Sequence, residues 1–336
     1  MISLDSNKIK FDVDFLMDFD ASKFVTDSKE KEGDVFSVKH KVISDVPGLN
    51  YIEIDETKNN VIVTTSAKIL SDNYFQGINI NTIEQVIDKI NKTGLIKANA
   101  ADIINNGEFL NIDVTDNIKA SESPVKCLDA FNSYRVNNKY KFNRDDTKHN
   151  QGIVYQGKQK SFKERMILYS KFQELKQYKN RSFLDSLNNP MEMLRESEKV
   201  LRIESNSVQL RKIRERLNIQ HTGILDVLES PVNLNYNLLN KIVNGAEQLK
   251  IFEDFEEYTK FTDIEKRIGM MGIIEKCNFD MEIIHAFIKS KVEGNIYRYV
   301  RRYRNLMFEM LEGKRIKKDV VTNGLVNEVL ELLKVA

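Results

Sequence analysis

A strand-like segment near the middle of the chain places a tyrosine among basic side chains. Side chains alternate between the two faces of a strand, so Lys163, Arg165 and Tyr169 share one face of residues 162–169, and Lys171 follows just beyond. A phenol has a pKa of about 10 and becomes a nucleophile when nearby cations or a metal ion stabilise its phenolate. The same cations would hold a phosphate group. An amphipathic strand that ends in an aromatic residue also fits the pattern, and Tyr169 is one of twelve tyrosines.

Two other strand-like segments carry acidic residues. Asp113 lies on the polar face of residues 108–115 and Asp116 follows the segment directly. Arg202 and Glu204 share a face of a third short strand. Carboxylates on neighbouring strands can bind Mg²⁺ or Mn²⁺, which prefer oxygen ligands and polarise a phosphodiester. The alternative is structural: Asp113 and Asp116 would cap a turn, and Arg202 and Glu204 would form cross-strand ion pairs.

The sequence patterns around these residues predict an α+β fold. Residues 51–56 and 60–66 have a hairpin pattern, and residues 83–90 have apolar side chains at helical spacing. Helical periodicity dominates the last third of the chain. We therefore predict an antiparallel sheet with flanking helices in residues 1–228 and an all-helical C-terminal domain in residues 229–336. No internal repeat is visible in the sequence.

Composition and charge indicate a globular protein with basic regions. The 336 residues are 41% hydrophobic and 30% charged, with a net charge of +1. Residues 157–216 hold fifteen basic and eight acidic residues, and residues 287–318 hold ten and three. Such tracts suit a polyanion such as DNA, or they are solvated helix faces. Cys127 and Cys277 have no metal-binding spacing, and no segment resembles a signal peptide or a membrane span, so we predict a cytoplasmic protein without a membrane partner.

The second basic tract interleaves tyrosines with arginines. In residues 296–304, Arg301 and Arg304 could bind phosphates while the tyrosines stack on unpaired bases. On a helix, however, Val300, Tyr303 and Met307 form an apolar stripe, with the arginines at its solvated edge. Both interpretations remain open.

Three motifs carry a resemblance to a known family. They are GIVYQG at 152–157, RMILYSKFQEL at 165–175 and LRIE at 201–204, preceded by LNIDVTD at 110–116. In this order they resemble the rolling-circle replication initiators of the filamentous-phage gene II/X type and the related trans-acting plasmid initiators. The similarity spans roughly residues 30 to 230. The chain departs from the family pattern at Ile167, where arginine is usual, in the closer spacing of its acidic pair, and in lacking the His-hydrophobic-His motif of the wider HUH nuclease group.

The resemblance implies a nickase that works on DNA of a phage or plasmid. Tyr169 would attack a phosphate of single-stranded or extruded origin DNA and keep the 5′-phosphate, leaving a 3′-OH primer, and Lys171 would stabilise the phenolate or the phosphate. An HUH-like sheet, bound Mg²⁺ or Mn²⁺, and a host helicase and polymerase as partners are also implied. The implied metal ligands are Asp113, Glu204 and Asp116, and the implied DNA-binding residues are Lys163, Arg165, Arg202, Arg301 and Arg304. The alternatives are a non-catalytic DNA-binding or structural phage protein with a related fold, and an unrelated metal nuclease that uses water.

Overall fold

The structure, a computed structural model, describes residues 2–31, 34–133, 140–145, 152–157, 165–207, 209–244 and 261–335. The chain is α+β and divides into two compact units, Met1–Ala246 with Leu325–Ala336, and Glu247–Gly324. This division differs from the predicted boundary at residues 228–229. The reason is hydrophobic burial: Leu239 and Ile242, from a helix assigned by sequence to the C-terminal domain, belong to the same apolar core as sheet residues such as Ile203.

Antiparallel strands form the framework of the first unit. In chain order they are β1 (Leu4–Asp12), β2 (Leu16–Phe19), β3 (Val25–Lys31), β4 (Asp34–Ile43), β5 (Leu49–Asp55), β6 (Asn60–Ser66), β7 (Ile96–Ala98), β8 (Glu108–Ile118), β9 (Tyr140–Asp145), β10 (Gly152–Gly157), β11 (Arg165–Ser170) and β12 (Leu201–Ser207). Among the described residues, β2 and β7 pair separately, and the others form one sheet in the order β3-β4-β5-β6-β1-β8-β12-β11-β10-β9.

Short helices follow the strands in the first unit, and longer ones build the second. They are α1 (Ile83–Lys92), α2 (Ala100–Asn106), α3 (Pro124–Ser133), α4 (Lys171–Leu175), α5 (Arg181–Asp185), α6 (Pro190–Ser197), α7 (Leu210–Leu217), α8 (Ile224–Leu228), α9 (Leu234–Asn244), α10 (Phe261–Lys276), α11 (Met281–Lys291) and α12 (Ile296–Val335). The last residues of α12, from Leu325, belong to the first unit. No helix in the described part of the chain is long and apolar enough to cross a membrane.

The large sheet repeats one topology on either side of its centre. β1 is followed by the meander β3-β4-β5-β6, which ends beside β1, and β8 is followed by β9-β10-β11-β12, which ends beside β8. β1 and β8 pair with each other in the middle. The sequence shows no repeat, so the repetition is one of strand order.

Two apolar cores lie on one face of this sheet. Directly paired residues share a face. Ile9 and Ile112 point into a core that includes α1, α2, α7 and α8, whereas Leu168 and Ile203 point into a second core with α3, α9 and the end of α12. The other face of β8, β11 and β12 carries the polar residues Asp113, Tyr169, Arg202 and Glu204.

Most of the predicted elements are present, and some differ. The hairpin of β5 and β6 and the helix α1 are confirmed, and Tyr169 lies on a strand, β11, as its alternation predicts. The helical last third of the chain ends in one long helix, α12, which Gly313 does not interrupt. Strands β1, β3 and β4 were not predicted. They come from a stretch whose many Lys and Asp residues mask the alternation of a strand.

The second unit is helical, as predicted. Its buried residues come from α10, α11 and α12 and include Ile274, Ile284, Val300, Tyr303 and Met307. An ion pair of 2.5 Å between Arg267 and Glu309 joins α10 to α12.

Candidate active site

The site begins at two neighbouring strands, β11 and β12. Their register pairs Tyr169 directly with Arg202, and Ile167 with Glu204. The hydroxyl of Tyr169 donates a 2.5 Å hydrogen bond to Oε1 of Glu204, its diagonal neighbour on the same face. The Tyr169 side chain is half-buried, and the Glu204 side chain is 16% exposed. A tyrosine hydroxyl and a carboxylate that could accept its proton are thus in contact.

Arg202 fills the space behind this pair. It is 0% exposed, and its Nη1 donates to Oδ1 of Asp5 at 2.5 Å and to the hydroxyl of Tyr74 at 2.6 Å. Its Nε donates to Oδ1 of Asn117 at 2.9 Å, and Nη1 lies 3.7 Å from Oε1 of Glu204. Its Nη1 is close enough to Glu204 to orient the carboxylate. Because Arg202 has no exposed surface, it cannot contact DNA, contrary to the role that the resemblance implies.

Asp5 reaches Arg202 from an irregular position in β1. The register of β1 against β8 shifts between Leu4 and Ser6, and Asp5 lies at this shift. Such bulges re-aim a side chain. Sequence reasoning did not identify Asp5, Tyr74 or Asn117, because each lies far along the chain from the motifs it contacts.

Lys171 contacts the rings of the site and not the hydroxyl of Tyr169. It is 1% exposed, and its Nζ lies 4.7 Å from the ring centroid of Tyr74 and 5.5 Å from that of Tyr169. The same Nζ donates to Oε2 of Glu174 at 2.7 Å. Asn180 donates to Oε1 of Glu174 at 2.9 Å, which fixes the carboxylate from the other side. Lys171 is therefore held rigidly beside Tyr169.

Burial controls the ionisation of these groups. Burial first and then the negative charge of Asp5 raise the pKa of Glu204 to about 7. Burial and the negative charge of Glu204 raise the pKa of Tyr169 well above its usual range, while Arg202 lowers it. Burial and the charge of Arg202 lower the pKa of Lys171. Even with Arg202 nearby, the net effect keeps the phenol of Tyr169 protonated, so the hydroxyl donates its hydrogen bond to Glu204.

The structure brings Asp113 and Glu204 to one face but places Asp116 on the other. On β8, Asp113 pairs with Asn206 and Asp116 pairs with Ile203, whose side chain is in the core. Asp113 accepts hydrogen bonds from Ser6 and Asn206. Asp116 instead accepts from Nδ2 of Asn235 on α9 at 2.8 Å. Burial raises the pKa of both Asp113 and Asp116.

Asp113 and Glu204 are carboxylates on one face of adjacent strands, the type of ligand that a hard divalent cation prefers. Within the described residues no three His, Cys, Asp or Glu side chains gather as a metal-binding group. Mg²⁺ commonly takes only one or two protein carboxylates and completes its shell with water and substrate phosphates.

The predicted DNA-binding residues lie in different parts of the molecule. Arg165 is exposed at the start of β11 and shares the face of Tyr169, whereas Lys163 lies outside the described residues. In the second unit, Arg301 and Arg304 are exposed on α12. The apolar stripe of that helix is buried as expected, so these arginines face solvent at its edge.

Comparison with known proteins gives no match for the chain. No protein-family model matches it, and no curated protein does.

Proposed function

We propose that the protein is a DNA nickase and strand transferase that starts rolling-circle replication through Tyr169. It would cut single-stranded or extruded origin DNA, retain the 5′-phosphate on tyrosine and leave a 3′-OH for a polymerase. The observation that carries the proposal is the hydrogen bond from the Tyr169 hydroxyl to Glu204, with Arg202 buried beside it.

The reaction uses these groups in defined roles. The Tyr169 oxygen forms a bond to phosphorus as the bond from phosphorus to the 3′ oxygen breaks. Oε1 of Glu204 accepts the phenol proton, and the 3′ oxygen takes a proton from solvent. Arg202 offsets the negative charge that develops on the phenolate oxygen. Oε1 of Glu204, which already accepts the hydrogen bond of the phenol, would return this proton when a 3′-OH attacks the phosphotyrosine and joins the strands.

Asp113 and Glu204 would hold a Mg²⁺ or Mn²⁺ ion. When bound, the ion supplies polarisation of the scissile phosphodiester. Ser6 and Asn206 orient Asp113 by donating to both of its oxygens. Fixed ligands of this kind raise the affinity of a metal site.

The rest of the molecule would deliver the DNA. Arg165 and the exposed Arg301 and Arg304 would contact phosphates. An HUH-like architecture, with the tyrosine on a strand of the antiparallel sheet, is part of this proposal. Origin DNA, a host helicase and a host polymerase are the partners in this proposal, and the host cytoplasm is its location.

The test is formation of a covalent adduct. Incubation of the protein with single-stranded DNA of its own genetic element and Mn²⁺ should give a DNA-linked species on a denaturing gel. A non-catalytic DNA-binding or structural protein gives binding without cleavage, and a metal nuclease that uses water gives cleavage without an adduct. Either result would overturn the proposal.

A further inference from the structure

A groove opens between α4 and α6, close in the chain to Tyr169. Its volume is about 560 Å³, which is within the range of small-ligand sites. Phe172, Met191 and Leu194 form its apolar walls, and Lys176 and Arg195 lie among the polar residues at its rim. We name this feature the α4–α6 groove.

The groove offers an aromatic surface with a cation over it. Nζ of Lys176 lies 4.5 Å from the ring centroid of Phe172, and Lys176 itself is exposed. The Phe172 ring is partly exposed, and the lysine over it is exposed. Met191, on α6, is 72% exposed although it is apolar. An aromatic face, an exposed apolar wall and a cation are the elements with which proteins stack unpaired bases.

The position of the groove links it to the candidate active site. Phe172 is three residues from Tyr169, so their Cα atoms are at most about 11 Å apart. Lys171, between them, is buried against the Tyr169 ring, while Phe172 lines the groove. The groove and Tyr169 therefore belong to one short segment of the chain, within the span of a few nucleotides of single-stranded DNA.

The rim has donors and acceptors suited to a base edge. Lys176 and Arg195 can donate, whereas the carboxylates of Glu192 and Glu198 can accept. A groove lined by both signs of charge favours a base with its mixed hydrogen-bonding edge over a phosphate, which needs positive charge alone.

We propose that the α4–α6 groove binds one unpaired nucleobase of single-stranded DNA, stacked on Phe172, next to the phosphate that Tyr169 attacks. This inference rests on the proposed function, because the base is placed by the strand bound at Tyr169. The groove would hold the strand in register and favour particular bases beside the nick.

The experiment measures binding in the Tyr169→Phe background, in which no adduct forms. The probe is a fluorescein-labelled oligodeoxythymidine, followed by fluorescence anisotropy. Phe172→Ala should weaken binding about tenfold or more, because it removes the stacking surface, and Phe172→Tyr should bind as the parent does. Tyr178→Ala is the matched control. Tyr178 is 87% exposed and does not line the groove, so its loss should change affinity by less than about twofold.

Salt dependence separates stacking from charge. Arg165→Ala, at a proposed phosphate contact, should reduce the slope of log affinity against log salt by about one, whereas Phe172→Ala, which removes a stacking surface, should leave the slope unchanged. Met191→Ala, at an exposed position that cannot disturb folding, should weaken binding about threefold. It keeps the test valid if Phe172→Ala does not fold.

The outcomes distinguish the two proposals. If the wild-type protein forms the adduct but Phe172→Ala and Met191→Ala bind as the parent does, the groove proposal is wrong and the proposed function stands. If the larger loss follows Tyr178→Ala, the base stacks elsewhere and the groove proposal is again wrong. If the wild type forms no adduct, the proposed function fails.

Discussion

The hydroxyl of Tyr169 donates a 2.5 Å hydrogen bond to Oε1 of Glu204, which lies diagonally across two antiparallel strands. The register that pairs Tyr169 with Arg202 is what brings Glu204 to the same face two residues on. A slip of one residue would turn the β12 side chains to the opposite face of the sheet. The strand register thus brings the Tyr169 hydroxyl, the Glu204 carboxylate and the Arg202 guanidinium together.

Glu204→Gln should slow adduct formation by a factor of about 10²–10⁴, because the amide cannot accept the phenol proton as the carboxylate does. The amide can still accept a hydrogen bond from Tyr169, so the site should keep its shape and DNA affinity should stay within about twofold of wild type. Single-turnover adduct formation on a denaturing gel measures the rate, and anisotropy measures binding. A variant that forms adduct at the wild-type rate would exclude Glu204 as the proton acceptor.

Asp113→Asn and Asp116→Asn should behave differently although the residues are three apart. Asp113 shares the face of Glu204, and its substitution should raise the Mn²⁺ concentration needed for adduct formation about tenfold or more. Asp116 faces α9, where it accepts from Asn235, so Asp116→Asn should change the metal requirement little. A metal titration of adduct yield checks both variants. If both substitutions raised the required Mn²⁺ concentration equally, the prediction that only Asp113 takes part in metal binding would be wrong.

Variants of the buried ion pair between Lys171 and Glu174 can separate a loss of stability from a loss of adduct formation. Lys171→Met leaves the Glu174 carboxylate without its closest cation and should lower the free energy of unfolding by roughly 3–5 kcal/mol. Adding Glu174→Gln removes the unpaired charge and should restore most of that stability. Adduct formation should remain slow in the double variant, because no cation lies against the Tyr169 ring. Urea unfolding gives the stabilities; a double variant no more stable than Lys171→Met would refute this account.

The lowered pKa of Glu174 predicts how the free energy of unfolding depends on pH. Burial alone would raise its pKa, but the charges of Lys171 and Lys68 and hydrogen bonds lower the pKa to about 2. A carboxyl group whose pKa is lower in the folded state stabilises the fold above its unfolded pKa of about 4.3, and this contribution is lost as the pH falls toward 2. Glu174→Gln should therefore flatten the acid limb of the unfolding free energy between pH values of about 4.5 and 2. If the free energy of unfolding falls as steeply with pH in the variant as in the wild type, Glu174 does not make this contribution.

The sequence predicts the strands that carry the candidate site because each has a clear alternation of side chains. The shared faces of Arg165 with Tyr169, and of Arg202 with Glu204, follow from the period of a strand alone, and the register agrees with them. Asp116 shows the limit of this reasoning. It follows Asp113 by three residues, an odd step, which turns it to the other face once the strand continues to Ile118.

The residues that the sequence does not reveal are those brought in by long-range pairing. Asp5 contacts Arg202 only because β1 joins β8 and is bulged next to Leu4. Tyr74 comes from a short helical segment far from both. No local spacing connects these positions, so only the folded chain identifies them.

The most direct test of the central claim is mass spectrometry of the protein after reaction with single-stranded DNA of its own element and Mn²⁺, followed by nuclease digestion. The account predicts a nucleotide attached through phosphate to Tyr169, complete loss of the adduct in Tyr169→Phe, and normal adduct formation in the control Tyr178→Phe, at an exposed tyrosine. An adduct on another residue, or full nicking by Tyr169→Phe, would contradict it.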